Sequence, residues 1–188
     1  METSSVSASK SFTTLDMVYI AIFAVLITVC SWISIPTAVP FTLQTFGIFV
    51  TAEILGGKKA TLSVIVFLLL GAVGVPVFAG FTGGIGILLG NTGGYLIGFV
   101  FTELFIWLSE NLFGRKPVVR IVTMVIGLII CYAFGTVWFM KVYAGANGAI
   151  SLSTALGWCV LPFIIPDLIK IALAFAVGSR VKKAMGIA

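Results

Sequence analysis

The sequence predicts an all-α integral membrane protein with six transmembrane helices, on three observations. Of 188 residues, 60% are hydrophobic and 9% charged, with a mean hydropathy of +1.23, whereas about 25% of an ordinary soluble domain is charged. The apolar residues fall into six runs, broken by Gly, Pro or polar residues. Basic residues then gather at alternate breaks between those runs. At about 20 apolar residues per crossing, a chain of this length holds about six helices and no separate soluble domain.

The runs are Leu15 to Ile35, Thr45 to Leu55, Ala60 to Val75, Leu88 to Ser109, Val118 to Tyr143 and Thr154 to Ser179. Each reads as a helix by its uninterrupted apolar character between punctuating residues. The second is short for a crossing and needs tilting or extended ends. A polar tail of residues 1–14 precedes a single membrane domain of residues 15–183, and residues 184–188 form a second tail. The opening METSSVSASKSFTT lacks an apolar run with a small-residue cleavage site, so the first helix is expected to remain as an anchor.

Lys10, Lys58, Lys59, Arg115, Lys116, Arg120, Arg180, Lys182 and Lys183 all fall on one side if both ends of the chain are cytoplasmic, nine of the eleven basic residues. The proposed external stretches 36–44 and 76–87 contain none. The positive-inside rule therefore orients the six helices with both termini in the cytoplasm. That inner rim also explains the net charge of +5, leaving nothing that argues for nucleic-acid binding.

The two external connections are unusual for solvated loops. SIPTAVPFTLQT and GVPVFAGFTGGIGILLGNTGGYLIGF are apolar, aromatic and rich in Pro or Gly. Non-helical backbone at membrane depth survives only when buried in protein or lining a cavity. Two readings fit: a cap closing a small-molecule pocket, or dense packing between helices.

Ionisable residues inside the apolar runs are the candidates for chemistry, because a charge in the bilayer is costly. In LPFIIPDLIKIALAFAV, Asp167 and Lys170 stand three apart and share one helix face. Pro166 allows a helix to break or start there. A structural ion pair is the alternative, although such a pair gains little over apolar residues of equal volume. Asn91 and Tyr95 share a face at the start of the fourth run, and Gln44 supplies an amide in the first connection. Glu53 and Glu103 lie towards inner ends, where snorkelling or a rim contact is expected. Cys30, Cys131 and Cys159 sit in apolar runs and read as buried small hydrophobes. There is no histidine, phosphate-binding loop, nucleophile elbow or metal-ligand cluster. The residues alone describe a binding protein that needs a partner for active transport, or an autonomous facilitator, and not an enzyme.

The stretches SIPTAVPFTLQTFGIF, LLLGAVGVPVFAGFTGGIGILLGNTGGYLIGF and LPFIIPDLIK, in that order and spacing, resemble the BioY family of biotin-specific substrate-binding (S) components of energy-coupling factor transporters. The resemblance runs from about Ala21 to Lys170. It implies a six-helix S-component fold in the cytoplasmic membrane of a prokaryote, with biotin as substrate and no cofactor. The pocket it implies includes Phe41, Gln44, Gly83, Gly84, Asn91, Tyr95, Asp167 and Lys170, with Phe78 beside Phe41 and Tyr95 against the apolar rings. Lys170 would hold the valerate carboxylate while Asp167 and Asn91 serve the ureido ring, with the opposite assignment left open.

The resemblance further implies a membrane T subunit and two cytoplasmic ATPase subunits as partners. The T subunit would pack on small residues of the first helix. Here the matching pair is Ala21 and Val25, with Ala24 adjacent, and valine departs from the small-residue pattern. The rivals are an S component for another small vitamin and an autonomous small-molecule facilitator.

Overall fold

The computed structural model describes residues 12–37 and 39–186. Its elements run α1 (Thr14–Trp32), β1 (Ser34–Ile35), β2 (Phe41–Thr42), α2 (Gln44–Leu55), α3 (Gly57–Ala72), a 3-10 turn (Ala79–Phe81), α4 (Ile85–Leu89), α5 (Gly93–Phe113), α6 (Pro117–Asn147), α7 (Leu152–Cys159) and α8 (Leu161–Ala184). The six expected runs each contain a main helix. Four of these, α1, α5, α6 and α8, are long and apolar enough to cross a membrane, whereas α2 and α3 have 12 and 16 residues. At 1.5 Å per residue, α2 is only about 18 Å long.

The short α2 is nevertheless the centre of the bundle. Every one of its residues except Phe46 is buried, and it packs against α1, α3 and α8. A helix that is apolar all round belongs in such an interior position. Outside, Val18, Ile22, Val29, Leu69, Ile129 and Leu173 are among many large apolar side chains left exposed, as a hydrocarbon environment allows.

α1 begins with a capping box in which Thr13 Oγ1 accepts from Asp16 N and Asp16 Oδ2 accepts from Thr13 N. Such a box satisfies amides that the first turn leaves unpaired. Asp16 also pairs with Lys59 at the start of α3. At the same end Arg115, after α5, forms an ion pair with Glu110 at 2.9 Å and donates to the carbonyls of Ala52 and Glu53 at the end of α2. Glu53 in turn pairs with Arg120 of α6 and accepts from Ser179 of α8 at 2.8 Å. These contacts gather the basic breaks at one end of the bundle. Lys10 lies outside the described residues.

Two sequence expectations change. Neither Glu53 nor Glu103 snorkels, at 1% and 0% exposed; Glu53 makes the expected rim contact, and only Glu103 departs from both expectations. Glu53 is turned inward by Arg120 and Ser179, whereas neither Glu103 oxygen has a hydrogen-bond partner among the described residues. Nor does the last helix break at Pro166. The break is at Val160, between α7 and α8, and Pro166 lies inside α8. At the sixth position of the helix, proline removes only one backbone bond, to Pro162, so the helix continues.

Candidate functional site

At the end opposite the basic cluster, the two Pro- and Gly-rich connections fold back over the bundle. The first is a two-stranded hairpin in which Ser34 pairs with Thr42 and Ile35 with Phe41. The second is fastened to α1: Trp32 Nε1 donates to the Pro76 carbonyl at 2.8 Å, Ser31 Oγ to that of Val77, and the Trp32 ring stacks on Phe81 at 4.9 Å. Phe78 then points down into the core, possible because Gly71 carries no side chain; a Cβ there would meet the ring at 2.0 Å.

Beneath these connections lies a cavity of about 200 Å³. Its ceiling includes Val39, Pro40, Thr42, Phe78 and Thr82; its walls include Gln44 of α2, Tyr95 and Phe99 of α5, Tyr132 of α6, and Phe163, Asp167 and Lys170 of α8. Most of these side chains are apolar or aromatic, with a few polar groups converging among them, as in small-molecule sites generally.

Three of the polar side chains, Tyr132, Asp167 and Lys170, form one network. Lys170 Nζ donates to Asp167 Oδ1 at 2.7 Å and to the Thr42 carbonyl at 2.7 Å. The same ammonium lies 4.4 Å from the ring centroid of Phe41, whose ring stacks on Phe163 at 5.7 Å. Tyr132 donates its hydroxyl to Asp167 Oδ2 at 2.6 Å. Gln44 is buried, and its Nε2 has no hydrogen-bond partner among the described residues. Tyr95 bonds Thr136 at 3.0 Å, and its ring fits the face of α6 where Gly135 has no Cβ.

Of the expected site residues, Gln44, Phe78, Tyr95, Asp167 and Lys170 line the cavity. Phe41 stands at its edge, between the hairpin and Phe163. Gly83 and Gly84 line no part of it. They fold the second connection instead: Gly84 N donates to the Gly71 carbonyl at 2.7 Å, and a Cβ on Gly83 would meet the Val75 carbonyl at 2.4 Å. Asn91 is exposed in the turn between α4 and α5, ahead of the helix face that carries Tyr95. Thr92 occupies the wall in its place.

Sequence reasoning missed Tyr132, because its partner lies 35 residues away and nothing local marks it. Cys131 and Cys159 are buried free thiols as expected, but both also line the cavity. On α1, Ala21 and Val25 face outward while Ala24 is buried in the core at 1% exposure. Ala24 therefore shares no surface with the other two.

Fold and site together define a helical membrane protein with a lidded, mostly apolar cavity for a small polar-tipped molecule. The BioY family model matches residues 3–187, and the chain belongs to the BioY family. It is 41% identical over 172 residues to the biotin transporter BioY of Thermotoga maritima, covering 89% of this chain and 96% of that one. It is 39% identical over 164 residues to a probable biotin transporter BioY of Pyrococcus horikoshii, covering 87% and 93%. Its fold is similar to the crystal structure of the S component for biotin from an ECF-type ABC transporter, with a TM-score of 0.79, 28% identity, and 92% and 95% coverage.

Proposed function

We propose that this chain is a biotin-binding S component of an ATP-driven importer, capturing biotin at the outer face for delivery to the cytoplasm. The observation that carries the reading is the cavity with the Asp167–Lys170 pair at its polar end, in a chain whose relatives are named biotin transporters. The protein binds and does no chemistry of its own. All six main helices cross the cytoplasmic membrane of a prokaryote in this reading, with both termini inside. Clustering of the basic breaks at the end away from the cavity supports that orientation. The outward Ala21–Val25 face of α1 is where a T subunit would pack, carrying two ATPase subunits with it.

The geometry favours one assignment of the polar ends over the expected split. Asp167 and Lys170 are 2.7 Å apart, so they cannot serve opposite ends of extended biotin, which a valerate chain separates. Paired, they are close to neutral and present both an acceptor and donors. That suits the ureido ring, whose N–H groups meet Asp167 and whose carbonyl meets Lys170. A ligand carboxylate there would face the Asp167 charge. The Nε2 of Gln44, without a hydrogen-bond partner among the described residues, is a further donor for the ligand.

The reading is tested by titrating detergent-solubilised protein with biotin while following its four tryptophans, with thiamine and riboflavin as controls. Saturable binding of biotin alone is expected. Selective binding of a control vitamin would contradict the assignment of substrate.

A further inference from the structure

Both oxygens of the Asp167 carboxylate are already engaged within the protein. Lys170 holds Oδ1 from one turn along α8, and Tyr132 holds Oδ2 from a different helix, α6. A carboxylate has about four lone-pair sites, so about two remain for a ligand. The torsion that turns a carboxyl group about its Cβ–Cγ bond is broad. Lys170, itself held by the Thr42 carbonyl, constrains only one of the two oxygens. A second donor from another helix fixes the plane.

We propose that Tyr132 is a positioning residue for ligand recognition: it holds the Asp167 carboxylate in the orientation that presents its free lone pairs to N–H donors in the cavity. The inference rests on the biotin reading, with the ureido N–H groups as the donors concerned. The phenolic hydroxyl has one proton and gives it to Asp167, so towards a ligand its oxygen is left only as an acceptor. The positioning role is the part of its influence that passes through Asp167, which the double variant isolates from any direct contact. Two donors on one carboxylate also keep it an acceptor, which selects a ligand that presents N–H and disfavours one that presents a second carboxylate.

Tyr132→Phe keeps the ring and removes only the hydroxyl. Biotin affinity is measured for the wild type, Tyr132→Phe, Asp167→Asn and the double variant. Tyr132→Phe is expected to weaken binding by about five- to tenfold. In the Asp167→Asn background the same change is expected to alter affinity by less than about twofold, since the group it positions is gone. An equal loss in both backgrounds means a packing role and overturns the proposal, as does wild-type affinity in Tyr132→Phe. Failure of the wild type to bind biotin overturns the underlying reading as well, which separates the two failures.

A second measurement needs no ligand. Asp16 and Asp167 are the only aspartates in the chain, so carbon-13 labelling of aspartate isolates their carboxylate stretches in the infrared. Tyr132→Phe is expected to shift the Asp167 band, assigned by its loss in Asp167→Asn. An unshifted band overturns the proposal.

Discussion

Lys170 on α8 donates its ammonium to the backbone carbonyl of Thr42 in the hairpin at 2.7 Å, joining residues 128 positions apart. The same side chain holds Asp167 and lies over the Phe41 ring. The hairpin over the cavity is thus tied to the side-chain pair to which the proposed reading assigns the ligand. A ligand that engages Lys170 acts on the lid through one atom.

Removing the tie should loosen the lid and the ligand together. Lys170→Met keeps most of the stem and deletes the donor, so the hairpin loses its bond to α8 and Asp167 is left buried without its cation. Hydrogen exchange of amides around residues 39–43 is expected to quicken, while that of α2 stays slow. Biotin affinity should fall by more than about tenfold. Unchanged exchange in the hairpin would show that the Lys170–Thr42 bond does not hold it.

Gly135→Ala should disturb both fold and site. A Cβ there would meet Tyr95 Cδ1 at 2.2 Å, and that ring is itself a wall of the cavity. Overpacking of this kind costs about 1–3 kcal/mol. A lower melting temperature in detergent, together with weaker biotin binding, is expected. Ala at Gly145, where a Cβ would meet nothing, is the control and should leave both unchanged.

At the opposite end, Glu53→Ala strands Arg120, whose side chain is only 13% exposed. Leaving one partner of a buried pair uncompensated costs about 3–5 kcal/mol. Glu53→Ala with Arg120→Leu removes both charges and should destabilise less than Glu53→Ala alone. Thermal melting of the two variants decides it; greater loss in the double variant would mean that the pair's packing outweighs its charge.

The cysteines offer a direct map of the cavity. Cys131 and Cys159 line it, while Cys30 is buried elsewhere against Gly47. Biotin should slow modification of Cys131 and Cys159 by a small neutral thiol reagent and leave the rate at Cys30 unchanged. Mass spectrometry of labelled peptides reads each site, and equal protection of all three would indicate general tightening instead.

Much of this was legible in the sequence because it is written in local patterns. Apolar runs gave the main helices, and three-residue spacing placed Asp167 and Lys170 on one face of α8. Pro- and Gly-rich apolar connections marked the cap. The rest depends on contacts between distant segments. Tyr132 looks like any helix aromatic until α6 is laid against α8. Gly83 and Gly84 share a motif with cavity residues, yet serve the fold of the connection that contains them. Asn91 falls just ahead of α5, so the four-residue spacing to Tyr95 does not act as a helix face. Proline at 166 suggested a break that the chain makes instead at Val160, where α7 meets α8.

Biotin binding at the Asp167–Lys170 pair is tested by the affinity of biotin for wild type and Asp167→Asn, measured side by side on folded protein by titration calorimetry. Saturable binding to wild type and at least about tenfold weaker binding to the variant are expected. Equal affinity in the two proteins would contradict binding there, because the Asp167–Lys170 pair would then not be where the ligand is read.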